Sequence, residues 1–152
     1  MICLTSLIHQ NTIQAVMAQH PDLCNNGFQF RRNGQMVPKT GSEFLAARAE
    51  LLSKYCVDEI LTGLAYINVH GAPSRNEGTS YSLKHMMERW GSTVGLSGYV
   101  CNGAAIVAAV LAGYNINRIP NDPNCYFEAD PVTVLLGPDA EKEDCLETLL
   151  CL

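Results

Sequence analysis

Four side chains that can move protons or bind phosphate occur in the middle of the chain: His70, Arg75, Lys84 and His85. Histidine changes its charge near neutral pH, while lysine and arginine bind phosphate and stabilise developing negative charge. These four residues are therefore the candidates for a catalytic site. Such a site would transfer phosphoryl groups or cut nucleic acid without a metal ion, and His85 would be its central group.

The same region has an alternative interpretation as a binding surface. Tyr81 and His85 lie four residues apart, as do Lys84 and Glu88, so a helix would place the members of each pair side by side. An amphipathic helix commonly carries polar residues of these types on its outer face. The candidate binding residues are Tyr81, Lys84, His85 and Asn102. We favour this interpretation because the spacing alone is not diagnostic of catalysis.

Two predicted helices must position these side chains. The first covers residues 80–90 and has an apolar stripe at helical spacing, formed by Leu83, Met86, Met87 and Trp90. The second covers residues 103–112, follows Asn102 as a predicted N-cap and is apolar on every side. A helix of that kind belongs in the centre of a core, and it lacks the polar side chains of a DNA-reading helix.

The remaining patterns predict one compact α+β domain over residues 1–152, with helices packed around the central one and short antiparallel hairpins. Before the two central helices, the sequence predicts a helix over 5–19, a hairpin over 28–37 that turns at Asn33-Gly34 and a helix over 43–56 capped by Ser42. A loop is predicted over 66–79. After the central helices, it predicts a hairpin of 115–119 with 125–129, a strand over 132–136 and a helix from Pro138. The apolar face expected for the 43–56 helix consists of Leu45, Ala49 and Leu52.

Composition indicates a globular protein of the cytoplasm. The chain has 152 residues, of which 47% are hydrophobic, so it is long and apolar enough to bury a core. Its longest apolar run, 104–112, falls far short of the roughly 20 residues that cross a bilayer. The first ten residues lack the basic region of a secretion signal. We therefore expect no membrane association and a cytoplasmic location.

Charge is distributed unevenly along the chain. Residues 1–120 carry nine Lys and Arg against seven Asp and Glu, whereas the acidic segment 121–152 carries one lysine against eight acids. The simpler interpretation of the acidic segment is a solvated face on a terminal helix, and the functional alternative is mimicry of nucleic acid or docking on a basic protein. The partner that we expect is a protein. Nucleic acid is an alternative partner that the net charge of −5 disfavours. The basic residues that could contact phosphate are Arg31, Arg32, Arg75, Lys84, Arg89 and Arg118.

The seven cysteines favour free thiols over a disulfide framework or a metal site. Their number is odd, and no two of them form a Cys-x-x-Cys pair. We therefore expect no zinc and no disulfide that is essential for folding. The chain also lacks a glycine-rich phosphate loop, so we expect no cofactor. No oligomeric state follows from the sequence.

Three short motifs carry a family resemblance that covers about 50 residues of the chain. They are Ser80-Tyr81-Ser82-Leu83-Lys84-His85, Tyr99-Val100-Cys101-Asn102-Gly103 with the helix that follows, and Pro123-Asn124-Cys125-Tyr126-Phe127. The pattern resembles that of a small family of proteins from bacteriophages, prophages and other mobile elements. The resemblance implies such a setting, where small proteins often inhibit host defence or redirect host machinery. It implies no particular activity and no catalytic residue.

Overall fold

The computed structural model describes residues 10–28 and 31–129, and these form a compact α+β arrangement. The helices are α1 (Gln10–Gln19), α2 (Ser42–Ala49), α3 (Lys54–His70), α4 (Ser80–Val94) and α5 (Asn102–Leu111). The strands are β1 (Arg31–Arg32), β2 (Gln35–Met36), β3 (Tyr114–Arg118) and β4 (Cys125–Ala129). The predicted fold class is confirmed. The predictions for residues 5–9, for the strand over 132–136 and for the last helix lie outside the described residues.

Helix α5 is the centre of the core, as its composition predicted. All of its residues from Asn102 to Ala109 are buried, and only Val110 and Leu111 are partly exposed. Helices α3 and α4 pack against it. Small residues permit the close approach: a Cβ added at Gly63 of α3 would lie 2.8 Å from the Cβ of Ala108.

The apolar stripe of α4 is only half buried. Leu83 and Met87 are completely buried in the core, whereas Met86 and Trp90 keep part of their surface in solvent. The Trp90 ring packs at the margin of the core against Tyr66, with ring centroids 5.8 Å apart. Two of the four residues predicted to face the core are therefore completely buried, and the other two are partly exposed.

The prediction of one helix over residues 43–56 is wrong. Helix α2 ends at Ala49, a 3₁₀ turn covers Glu50–Leu52, and α3 starts after Ser53. The Ser53 hydroxyl accepts a hydrogen bond from the Cys56 N–H, which caps the new helix. The predicted apolar face of α2 is also wrong, because Phe44 and Ala47 are buried while Leu45 is 54% exposed.

Helix α3 continues to His70, so the first part of the predicted loop over 66–79 is helical. The loop itself begins at Gly71, which ends the helix with a φ of 73°. Glycine adopts this backbone conformation at little cost, and it commonly follows the end of a helix. His70 therefore has a fixed position on α3 instead of a place in a loop that could fold over α4.

Two antiparallel hairpins complete the described fold. In the first, β1 pairs with β2, and Asn33 and Gly34 turn the chain with positive φ, as the sequence predicted. In the second, β3 pairs with β4 in a register that aligns Tyr114 with Ala129 and Arg118 with Cys125. Within the described part of the chain, no helix is both long enough and apolar enough to span a bilayer.

Candidate functional site

The polar side of α4 carries a connected set of side chains around Glu88. The Glu88 Oε1 atom accepts hydrogen bonds from Lys84 Nζ at 2.8 Å and from the Val100 N–H at 3.2 Å. Its other oxygen, Oε2, lies 2.8 Å from Nδ1 of His85. An ionised carboxylate only accepts hydrogen bonds, so Nδ1 carries the proton. Glu88 thus holds the side chains of Lys84 and His85 as well as the backbone at Val100, which leads into α5.

These bonds change the ionisation of Glu88. Burial raises the pKa of its carboxyl, but the hydrogen bonds from Lys84, Val100 and His85 outweigh burial and hold that pKa below its usual range. Glu88 is therefore ionised at neutral pH, and Lys84 has a permanent counter-ion. A lysine paired in this way is a weak binder of phosphate, because its charge is already compensated.

Two exposed tyrosines flank Lys84. Tyr81 is 55% exposed and Tyr99 is 62% exposed, although both are large and partly apolar. Lys84 Nζ lies 5.7 Å from the ring centroid of Tyr81 and 5.4 Å from that of Tyr99, within the range of cation–π attraction. The Tyr81 ring also meets the His85 ring edge to face, with centroids 4.5 Å apart. We call Tyr81, Lys84, His85 and Tyr99 the tyrosine–lysine face.

The other catalytic candidates lie elsewhere. The His70 ring contacts Tyr66 and Trp90, with centroids 4.7 and 5.9 Å away. The Arg75 guanidinium lies 4.9 Å from the centroid of the Tyr126 ring on β4. Among the contacts of the described residues, none joins either side chain to His85. Of the four predicted catalytic groups, Lys84 and His85 therefore share Glu88, whereas His70 and Arg75 contact aromatic rings of other residues.

The Asn102 side chain lies inside the fold and hydrogen-bonds to two other segments of the chain. It is buried, and its Nδ2 atom donates to the Asn26 carbonyl at 3.1 Å, to the Pro123 carbonyl at 3.4 Å and to Asn124 Oδ1 at 3.0 Å. The prediction that Asn102 caps the central helix is wrong, because the Cys101 sulfur accepts the Ala104 N–H and is the cap. Asn102 instead connects the chain before β1 to the loop before β4.

Three of the predicted basic residues, Arg32, Arg118 and Lys84, are paired with acidic side chains. Arg32 pairs with Glu43, and Arg118 lies 2.5 Å from a carboxylate oxygen of Asp22. Lys84 is paired with Glu88, as described above. Each of these cations is compensated by a neighbouring acid, and such pairing reduces attraction for a nucleic-acid backbone.

Two thiols and a carboxyl group form a second cluster in the core, and the sequence pattern does not indicate it. Cys56 of α3 and Cys101, the cap of α5, have sulfurs 3.9 Å apart although they are 45 residues apart in the chain. Glu59 lies beside them, and all three side chains are buried. We call Cys56, Glu59 and Cys101 the cysteine–glutamate cluster. No local motif signals it, since its members are brought together only by the packing of α3 against α5.

The two thiols of this cluster influence each other. The hydrogen bond with Cys101 lowers the pKa of the Cys56 thiol, and the same bond together with burial raises the pKa of Cys101. For comparison, burial raises the pKa of Cys125, which lies apart from the cluster, to about 12.

Comparison with known proteins adds no family at this point. No protein-family model, no curated protein and no solved structure matches the chain.

Proposed function

We propose that the protein acts by binding another protein through the tyrosine–lysine face. The observation that carries this proposal is the pair of exposed tyrosines held around a neutralised lysine. Tyrosine is enriched at the centres of protein interfaces, where it contributes much of the binding energy. Because Glu88 and the ring contacts already order these side chains, a partner would lose little conformational entropy on binding them.

The chemistry of the face favours a partner segment that presents carbonyl or carboxylate oxygens. Two tyrosine hydroxyls can donate hydrogen bonds to such oxygens, the His85 Nε2 atom can accept one from the partner, and the tyrosine rings can cover apolar surface. Such a combination fits a protein surface better than the uniform negative charge of a nucleic acid. The resemblance to proteins of bacteriophages and mobile elements supports a role in which the partner belongs to the host and is inhibited or redirected in its cytoplasm.

The alternative of a phosphoryl-transfer enzyme or nuclease centred on His85 has less support from the geometry. Its phosphate-binding cation Arg75 is engaged with Tyr126, and Lys84 is compensated by Glu88. A general base also requires a reacting group within hydrogen-bond reach and a positioned electrophile. Among the described residues, no second cation contacts His85.

The decisive experiment compares tyrosines inside and outside the face. Tyr81→Ala and Tyr99→Ala are each compared with Tyr55→Ala, which removes a tyrosine of α3 that is 76% exposed. Quantitative pull-downs from the native host should recover a protein with the wild type and with Tyr55→Ala, and should lose it with the other two variants. Calorimetry with the purified partner should then show a loss of at least about 2 kcal/mol for Tyr81→Ala, as expected for an interface hot spot.

His85→Ala separates the two functions. Under the binding proposal this variant stays folded and weakens the complex no more than Tyr81→Ala does. Its hydrolysis of phosphomonoester and phosphodiester substrates should equal that of the wild type, at background level. A turnover activity that His85→Ala abolishes and Tyr81→Ala retains would establish the enzyme instead. Equal recovery of the partner by the wild type and the three tyrosine variants would also reject the tyrosine–lysine face as the binding surface.

A further inference from the structure

The cysteine–glutamate cluster joins the beginnings of two core helices. Cys56 lies in the first turn of α3, Glu59 follows it one turn later on the same side, and Cys101 caps α5. Their exposed fractions are 3%, 7% and 8%. Three side chains that can ligate a metal ion through sulfur or oxygen thus converge in a part of the molecule that excludes solvent.

The spacing of the cluster fits a tetrahedral metal ion. The three ligand atoms, one from each side chain, lie within 4.8 Å of one another. In a tetrahedral zinc site with Zn–S bonds of about 2.3 Å, two sulfurs are about 3.8 Å apart. The Cys56 and Cys101 sulfurs are 3.9 Å apart. A disulfide bond requires about 2.05 Å, so the thiols would have to move much further to form one.

The carboxyl group of Glu59 supplies an oxygen ligand beside the two sulfurs. The Glu59 side chain is buried, and its Oε2 atom accepts a hydrogen bond from the Cys101 N–H at 2.7 Å. Within the described ranges, no lysine, arginine or histidine lies at ion-pair distance from it. Buried carboxyl groups are normally hydrogen-bonded, paired or coordinated to metal ions, and a carboxyl oxygen in this position is a suitable metal ligand.

Neighbouring backbone groups already orient the ligands. The Cys101 sulfur accepts the Ala104 N–H at 3.3 Å, which fixes its direction at the start of α5. Glu59 is oriented by the amide of Cys101, and Cys56 is held by the Ser53 cap. Hydrogen bonds of this kind around metal ligands fix their direction and support affinity.

From this geometry we infer that Cys56, Glu59 and Cys101 bind one Zn²⁺ ion, with a water molecule as the fourth ligand. Two thiolates and a carboxylate in tetrahedral arrangement suit zinc, which prefers sulfur ligands more than magnesium or calcium do. Binding displaces one proton from each thiol to solvent, so the site takes up the metal as two thiolates. The inference replaces the expectation of no zinc, which rested on the absence of close cysteine pairs along the chain.

The ion would couple the core to the tyrosine–lysine face. Zinc bound to Cys101 would fix the entry of α5 to α3, and Tyr99 lies only two residues before Cys101. The adjacent Val100 N–H is held by Glu88, so the segment 99–101 would be fixed from both sites. The proposed metal would therefore stabilise the position of one of the two exposed tyrosines.

The test uses the full chain, purified under reducing conditions and titrated with Co²⁺ and then with Zn²⁺. We expect one equivalent of Co²⁺ to produce thiolate-to-cobalt charge-transfer bands and the visible bands of a tetrahedral ion, and Zn²⁺ to displace it. Cys56→Ser and Cys101→Ser should each weaken Zn²⁺ binding by more than the roughly 10–100-fold that outer-shell changes cost. Cys24→Ala, which removes a buried thiol outside the cluster, should bind like the wild type.

Glu59→Gln keeps an oxygen that can accept the Cys101 N–H and removes the charge, so it tests the third ligand with little risk to folding. It should weaken Zn²⁺ binding while circular dichroism of the metal-free protein is unchanged. The inference is overturned if the reduced wild type binds no stoichiometric metal, or if the three ligand variants bind as well as Cys24→Ala. A Cys56–Cys101 disulfide in the isolated protein without metal affinity after reduction would overturn it as well.

Discussion

At the scale of single residues, Glu88 connects two of the candidate side chains of α4 to the segment that leads into α5. It bonds Lys84, His85 and the Val100 N–H. Sequence reasoning identified it only as the partner of Lys84 at a spacing of four residues. The bond to Val100 depends on how the chain returns between α4 and α5, which the sequence pattern does not indicate.

The lowered pKa of Glu88 predicts a pH dependence of stability. A carboxyl whose pKa is lower in the folded than in the unfolded state stabilises the fold above its unfolded pKa, and this contribution disappears as pH falls through the folded pKa. Glu88→Gln should therefore lower the free energy of unfolding by about 1–2 kcal/mol at pH 7. The difference between variant and wild type should shrink below about pH 4.3, the ordinary glutamate pKa.

Urea unfolding of both proteins between pH 7 and pH 3 measures this difference. Other carboxyl groups titrate in the same range, but they are common to both proteins and cancel in the comparison. A difference that stays constant over the whole range would show that the charge of Glu88 does not contribute.

Asn102 gives a second prediction at this scale. Asn102→Ala would remove three hydrogen bonds and leave the carbonyls of Asn26 and Pro123 without this donor. The free energy of unfolding should fall by about 1–3 kcal/mol. Tyr81→Ala serves as the control, since removal of an exposed side chain should change stability by no more than about 0.5 kcal/mol. If Asn102→Ala is as stable as the wild type but fails to bind the partner, Asn102 is a binding residue as the sequence suggested.

At the scale of elements, the position of α5 depends on two glycines that allow close backbone contact. A Cβ added at Gly103 would lie 2.1 Å from the carbonyl oxygen of Cys24, a backbone atom that cannot rotate away. A Cβ at Gly63 would meet the side chains of Ala108 and Met87 at 2.8 and 3.2 Å. The flexible Met87 side chain can move to relieve its contact, and alanine has a higher helix propensity than glycine.

Gly103→Ala should therefore destabilise the protein more than Gly63→Ala does. We expect a cost of about 3 kcal/mol or more for the first and about 1 kcal/mol for the second, from typical overpacking costs. Thermal unfolding followed by circular dichroism measures both. The double variant Gly63→Ala with Ala108→Gly should lose less stability than the sum of the single changes, because the second change removes the atom that clashes. Equal effects of the two single variants would contradict the packing described here.

The boundaries of α2 and α3 show the limit of local patterns at this scale. Ser53 lies within a stretch that is compatible with a continuous helix, yet the chain bends there so that Leu51 and Cys56 both reach the core. The buried face of α2 carries Phe44 and Ala47, and its Arg48 donates to the carbonyls of Met17 and His20 at the end of α1. That contact orients α2, and it depends on a neighbour that is distant in sequence.

At the scale of the whole molecule, the two proposed sites have different origins. The tyrosine–lysine face is largely local, since three of its four residues lie within one helix. Spacing along α4 was therefore sufficient to predict Tyr81, Lys84 and His85 as neighbours. Tyr99 and the cysteine–glutamate cluster depend on the packing of separate segments, so no pattern within a short window could identify them.

The sequence by itself determined the elements whose signals are local. The uniformly apolar composition of α5 required burial on all sides, and Asn33-Gly34 required a tight turn. Tertiary structure alone decided that His70 contacts Trp90, that Arg75 contacts Tyr126 and that Asn102 is internal. It also decided that Cys56 and Cys101 meet. The physical reason is that these relations arise from the packing of residues far apart in the chain, where shape and buried hydrogen bonds select the neighbours.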